Sequence, residues 1–235
     1  MALAAWAGGV QAGARLRAQG TGAASKFDDA SMALLSLLLG FTFAMSMNWH
    51  NDRRLAAIAD ANSIGDFYTC ASLLSEPNRS KLQSLIRDYA QYRLDMALSP
   101  PTVEEFNRSL DKFDDMHGEM TEIVRSELDK GTPIAVPLTN TLNALTSNNA
   151  SRLAAVRTRL PDSIILLLFI ATGAAIFLVG REQGFSGHSE RVGTVIFTVL
   201  VGVAVYVILD LNRPDIGYIR VSQEPFQRLI QTMSK

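Results

Sequence analysis

Polar and apolar positions divide this chain into long uncharged runs and one charge-bearing stretch. From residue 30 to residue 51, 22 consecutive positions contain no Asp, Glu, Lys or Arg. A helix needs roughly 20 such residues to cross the hydrocarbon core of a bilayer, so the pattern predicts a transmembrane helix over 31–51. The far end of this run places Trp49 where an aromatic belt residue sits, and Arg53 and Arg54 where headgroups and water begin. Two further uncharged runs of 18 residues, 163–180 and 192–209, predict a second and a third span. Their β-branched content suits strands, but unbroken apolar runs of this length fit helices in lipid far better. Only 11 residues, "REQGFSGHSER", connect them, so 161–211 reads as an antiparallel transmembrane hairpin. Its glycines and alanines suit close helix packing. The opening apolar run, 1–13, is too short to cross a membrane. It reads as the end of a longer hydrophobic segment, a truncated fourth span, or as an interfacial patch. Its positive charges follow the apolar stretch, the reverse of a cleavable signal.

The stretch between the first and second spans, 52–160, has helical periodicity. "SKLQSLIRDYAQYRLDMAL" brings Leu82, Leu85, Ile86, Tyr89, Tyr92 and Met96 near one face, with Arg93 the exception among its charges. "SPP" at 99–101 ends that helix, and Thr102 with Glu105 forms a capping box for the next. This next helix, about 102–130, carries Phe106, Leu110, Phe113, Met116, Met120, Ile123 and Leu128, and "GTPIAVP" stops it. A further helix runs over about 138–160. No strand pattern or repeat occurs, so the expected fold is all-α. It comprises an N-terminal segment (1–30), three clear transmembrane helices, a helical bundle (52–160) and a C-terminal segment (212–235). The last of these, "IGYIRVSQEPFQRLI", is too apolar for a free tail and is expected to pack on the bundle.

Composition sharpens this picture. Charged residues make up 19% of the chain, against about 25% in a typical soluble domain. Residues 50–160 hold 13 of the 22 Lys and Arg and 15 of the 23 Asp and Glu, which leaves the remaining segments charge-poor, as spans are. A formal net charge of −1 gives no footprint for nucleic acid. The single Cys70 rules out an intramolecular disulfide and reads as a buried thiol. Seven arginines close to span ends (Arg53, Arg54, Arg152, Arg157, Arg159, Arg213, Arg220) lie on the side of the bundle and C-terminus. The opposite side offers five cations: Arg15, Arg17, Lys26, Arg181 and Arg191. The bias predicts a multi-pass protein of the cell (inner) membrane with the bundle and C-terminus cytoplasmic.

Chemistry-bearing residues are few. "DDMHGE" holds Asp114, Asp115, His117 and Glu119, but on a helix Asp115 and Glu119 share a face while His117 points elsewhere. A solvated face is therefore favoured over a metal site. No nucleophilic triad, phosphate loop or paired carboxylate stands out, so no enzyme, catalytic residue, metal or cofactor is expected. Asp60 and Asn62 lie just beyond the first span, and Asp210, Arg213 and Asp215 just beyond the last. They read as a membrane-boundary polar cluster, with inter-helix salt bridging favoured over an ion path.

Two blocks carry a family resemblance: "DANSIGDFYTCASLLSEPNRSKLQSLIRDYAQYRLDM" and "DLNRPDIGYIRVSQEPF". They resemble the signature blocks of the prokaryotic bestrophin-like membrane proteins, a family without an established function. The resemblance extends from about residue 30 onward. "LGFTFAMSMNWHND" is in turn similar to the second-helix pattern of the bestrophin anion channels, and "NRPDIG" to their Asn-Pro-Phe-Gly. That resemblance implies a homo-oligomer, a pentamer, that embeds in the lipid bilayer and passes inorganic ions, with anions favoured. It implies that Phe41, following Gly40, is a hydrophobic pore residue, with Leu37 and Ala33 at the positions one and two turns earlier. A spacing of four puts the three on one helix face. Trp49, Arg53 and Arg54 would form the pore mouth. The sequence departs from the pattern in its small Ala33 and in lacking an acidic run after Gly217, so calcium gating is not implied. The alternative is a non-conducting membrane scaffold or sensor whose cytoplasmic bundle binds a partner, because an apolar face also suits lipid or another helix.

Overall fold

The computed structural model of the protein describes residues 2–19, 26–98, 103–187, 191–213 and 217–234. Eight helices and no strand occur among them, the all-α architecture that the apolar periodicity requires. In chain order they are α1 (Ala2–Ala18), α2 (Lys26–Ala71), α3 (Asn78–Leu98), α4 (Val103–Asp129), α5 (Ala135–Arg157), α6 (Asp162–Ser186), α7 (Arg191–Leu211) and α8 (Glu224–Met233). Three of them, α2, α6 and α7, carry stretches long and apolar enough to cross a membrane. Thr102 of the expected capping box lies outside the described residues. The chain divides into two compact units, residues 1–49 with 159–219, and residues 50–158 with 220–235.

In the first unit, α1 lies along α6 and runs in the same direction, with residues 6, 10 and 13 reaching positions 180, 184 and 181–185. Backbone meets backbone at four glycines. A Cβ added at Gly9 or Gly13 would overlap the carbonyl oxygens of Phe177 and Arg181, and one at Gly180 or Gly184 those of Trp6 and Val10. Small residues four apart on both partners give helices in lipid the close van der Waals contact that drives their association. This contact also explains why α6 outruns the expected 163–180 span. The indole Nε1 of Trp6 donates to Gln183 Oε1 at 3.1 Å, and Gln183 Nε2 donates to Thr194 Oγ1 of α7. The polar turn "REQ" is thus held in helical form between neighbours. Gly187 then ends the helix at φ 71°, its N–H bonded to the Gln183 carbonyl at 3.0 Å, a left-handed cap that only glycine adopts cheaply. A second apolar cluster joins Leu160, Leu168, Val201, Val205 and Ile208, with Leu38, Leu39, Met45 and Trp49 of α2 packed against it.

The second unit is a helical bundle with a continuous core. Ala57, Ile64 and Phe67 of α2, Leu82, Ile86 and Tyr89 of α3, Met116, Met120 and Ile123 of α4, Leu138, Leu142 and Leu145 of α5, and Phe226 and Met233 of α8 all belong to it. Cys70 is buried in the same core, as its sequence context predicts. The C-terminal segment behaves in two ways. Phe226 is 1% exposed and Met233 4%, so α8 completes this core, whereas Tyr218 is 89% exposed and contributes nothing to it. A buried acid, Glu127, closes the α4–α5 turn. It accepts from Asn78 Nδ2 (2.6 Å), Lys130 Nζ (2.6 Å) and Thr132 Oγ1 (2.7 Å), and these three bonds hold its carboxyl at about 2, well below the usual carboxylate range.

Replacing Gly13 with Leu should force α1 off α6. Overpacking of this kind costs about 1–3 kcal/mol, read as a lower melting temperature in detergent. Gly40→Ala is the control: nothing lies within 4 Å of the added Cβ. A gain of up to ~1 kcal/mol from helix propensity is expected there. Equal melting of the wild type and Gly13→Leu would refute the contact.

Candidate functional site

The residues singled out by sequence fall into three places. The first is a face of α2. Leu37 is 71% exposed and Phe41 61% exposed, Ala33 is exposed on the same face, and the space beside Gly40 is empty to 4 Å. The opposite side of the same helix is engaged: Leu35, Thr42 and Ser46 are buried, and Thr42 Oγ1 donates to the Leu38 carbonyl at 2.7 Å. A membrane-crossing helix thus packs one side into its own unit, while the other, apolar and notched by a glycine, stays exposed among the described residues.

The second place is the end of that stretch. Trp49 is half-buried and packs on the α6–α7 cluster. Arg54 is exposed. Arg53 is not: it is 3% exposed, and its guanidinium donates from Nε to the Ala155 carbonyl (3.2 Å) and from Nη2 to the Thr158 carbonyl (2.5 Å). The expectation of Arg53 as a solvent-facing cation at a pore mouth is therefore corrected. The last carbonyls of a helix have no intrahelical partner and carry the negative end of its dipole, and Arg53 satisfies them at the end of α5.

The third place is the expected boundary cluster, whose members divide between the two units. Asp60 takes its partners from the 50–158 unit. It is completely buried and receives Nη2 of Arg93, with Nη1 of Arg152 at 3.5 Å from the same oxygen. Arg93 Nη1 also donates to Asn149 Oδ1 at 2.6 Å. Aromatic faces close over the guanidinium groups, Tyr89 and Phe113 at 5.7 and 5.2 Å from Arg93 and Phe226 at 5.3 Å from Arg152. Burial and the neighbouring Arg93 charge pull Arg152 down to about 10. One carboxylate thus serves two buried cations from α3 and α5 and bridges three helices. Asn62 is exposed on the same helix.

Asp210 belongs to the other unit and does different work. Its two oxygens accept the backbone N–H groups of Tyr218 and Ile219, both at 2.9 Å, which shapes the turn after α7. Gly217 is required there, since an added Cβ would sit 2.8 Å from the carbonyls of both Asp210 and Arg213. Arg213 is exposed, and Asp215 lies outside the described residues. Asn212, which sequence reasoning passed over, accepts the Leu160 N–H at 2.6 Å and ties the end of α7 to the approach to α6. Arg152 was also missed as a partner of Asp60, and Asn149 as a partner of Arg93. Arg93 was not invisible: its place on the apolar stripe of α3 was the signal.

Among the described residues no cluster of His, Cys, Asp or Glu could hold a metal ion. His117 Nε2 sits 2.7 Å from Thr146 Oγ1.

The family now follows from the comparisons. The bestrophin-like domain model matches residues 17–226. This chain belongs to the bestrophin-like family. A solved crystal structure of a membrane protein shares its fold at a TM-score of 0.74 over 99% of this chain and 93% of the other, at 11% identity. The chain matches no curated protein. This bestrophin-like chain is therefore an all-α membrane protein of a channel-like family.

Asp60→Asn should leave two buried guanidinium groups without a counter-charge. Breaking a buried ion pair from one side costs about 3–5 kcal/mol, so the bundle should become sensitive to protease within residues 50–158 at temperatures where the wild type resists. A digestion pattern unchanged by the substitution would refute this role for Asp60.

Proposed function

We propose that this protein is an oligomeric ion-conducting pore, selective for anions, in which residues 31–49 of α2 from each copy line the passage. The observation that carries this reading is the α2 face of Ala33, Leu37 and Phe41, exposed beside Gly40 while the opposite side of the helix packs. Membership of a channel-like family supports it. A ring of five such helices, the number the resemblance to bestrophins suggests, would stack apolar side chains around an axis, and such constrictions gate ions by dewetting. Phe41 and Leu37 form the dry, narrow part. Arg54, exposed beyond Trp49, raises the local anion concentration at the mouth. Arg53 supports the mouth from behind by holding the end of α5.

In this reading the protein sits in the cell membrane with the 50–158 unit and the C-terminus in the cytoplasm. The test is a Cys in place of Ser84, an exposed position on α3, in a Cys70→Ser background. An impermeant maleimide should label it only after lysis, and ready labelling in intact cells would overturn the orientation.

For conduction, liposomes holding protein shown to remain oligomeric should pass anions in preference to cations. Phe41→Ala should raise conductance severalfold by widening and wetting the constriction. Arg54→Gln should weaken anion preference and leave the fold intact. If wild type and Phe41→Ala are both silent to anions and cations, the pore reading fails, and a non-conducting scaffold whose bundle binds a partner replaces it.

A further inference from the structure

A groove of about 520 Å³ opens within the membrane-crossing helices. Met32, Leu35 and Leu39 of α2, Val179 of α6 and Phe197 and Val201 of α7 supply its apolar lining. Its volume lies within the roughly 300–1,000 Å³ typical of small-molecule sites. Three polar side chains also border it, and each has a hydrogen-bond partner in the protein. Ser36 Oγ donates to the Met32 carbonyl at 3.0 Å, and Gln183 joins Thr194 and Trp6. With these groups engaged, the groove presents mainly hydrocarbon, which disfavours a polar solute.

We infer that this groove holds one acyl chain of a bilayer phospholipid whose zwitterionic headgroup sits at the Asp28–Arg181 ion pair. Three features point to this occupant. All the lining residues belong to helices that cross the membrane, so the surrounding medium is acyl chain. The groove lies toward the start of α2, the end of α6 and the start of α7, where the uncharged runs give way to charged residues. One helical turn before Met32, Asp28 pairs with Arg181, both partly exposed, with the exposed Asp29 beside them. A rim of mixed sign complements a phosphate and an ammonium together.

The groove also lies on the side of α2 away from Ala33, Leu37 and Phe41. At about 100° per residue, the mean direction of Met32, Leu35, Ser36 and Leu39 is turned well over 90° from that face. Where the pore reading holds, the bound chain braces the back of the pore-lining helix.

The test places the photocrosslinking residue benzoylphenylalanine at Phe197 in the groove, or at Val195, 61% exposed on α7, in nanodiscs of mixed phosphatidylethanolamine and phosphatidylglycerol. Irradiated protein is then weighed intact by mass spectrometry. Position 197 should yield adducts of one phospholipid, enriched severalfold in phosphatidylethanolamine over the bilayer mixture, while position 195 should follow the mixture. Ser36→Trp, which fills the groove, should remove the enrichment at 197 and leave position 195 unchanged. Equal composition at both positions, phosphatidylglycerol enrichment, or crosslinking to a second copy in place of lipid would each overturn the inference. The readout does not involve conduction, so a silent pore leaves it intact.

Discussion

The buried carboxylate of Asp60 sets the terms for the unit of residues 50–158 and 220–235. A buried charge must be paired or it unfolds the protein that holds it. Here a single acid on α2 faces guanidinium groups from α3 and α5, with Phe226 of α8 over one of them. Four helices are thereby committed to one arrangement around one side chain. Apolar packing of Leu82, Ile86, Met120 and Leu138 supplies cohesion, yet similar volumes of hydrophobic side chain pack in many registers. The ion cluster tolerates few. Two cations against one acid is also an unbalanced arrangement, which explains why aromatic faces are drawn over both guanidinium groups: ring quadrupoles stabilise positive charge that the carboxylate alone does not neutralise.

The membrane unit is held by different physics. Lipid is as apolar as leucine, so burying leucine between helices gains little there. The α1–α6 pair relies instead on backbone approach at Gly9, Gly13, Gly180 and Gly184, with Gln183 as a polar link to Trp6 and Thr194. Polar atoms in this setting bond one another because no water competes for them.

Much of this was legible in the sequence, and the gaps have physical causes. Uncharged runs located α2, α6 and α7, because the bilayer imposes a minimum apolar length on any helix that crosses it. Helix breaks at "SPP" and "GTPIAVP" separated α3, α4 and α5, since Pro and Gly act locally. What periodicity could not provide was partnership across the chain. Arg53 and Arg54 look alike in sequence, but one lies on the α5 side of the helix and the other faces away, a difference of a single 100° step. Asp60 and Asp210 both follow spans, yet one finds arginines 33 and 92 residues later and the other folds back on its own turn. The α1–α6 contact was equally out of reach: four glycines suggest close packing without saying against what.

Exposure alone says little about a helix in lipid, because an apolar side chain facing acyl chains incurs no penalty. The composition of an exposed face is more informative. On α7 the exposed positions are Val192, Val195, Ile196, Val199, Leu200, Val203 and Tyr206, interrupted by Gly193 and Gly202. On α2 the exposed face mixes Ala33, Leu37, Gly40, Phe41 and Ala44, small beside large. Such relief is indifferent to lipid, which conforms to any surface, but it matters to a neighbouring helix, whose ridges need grooves to enter. Both helices carry such relief, and the glycine steps, Gly40 on α2 and Gly202 on α7, each open to 4 Å, mark where either face leaves room beside its backbone.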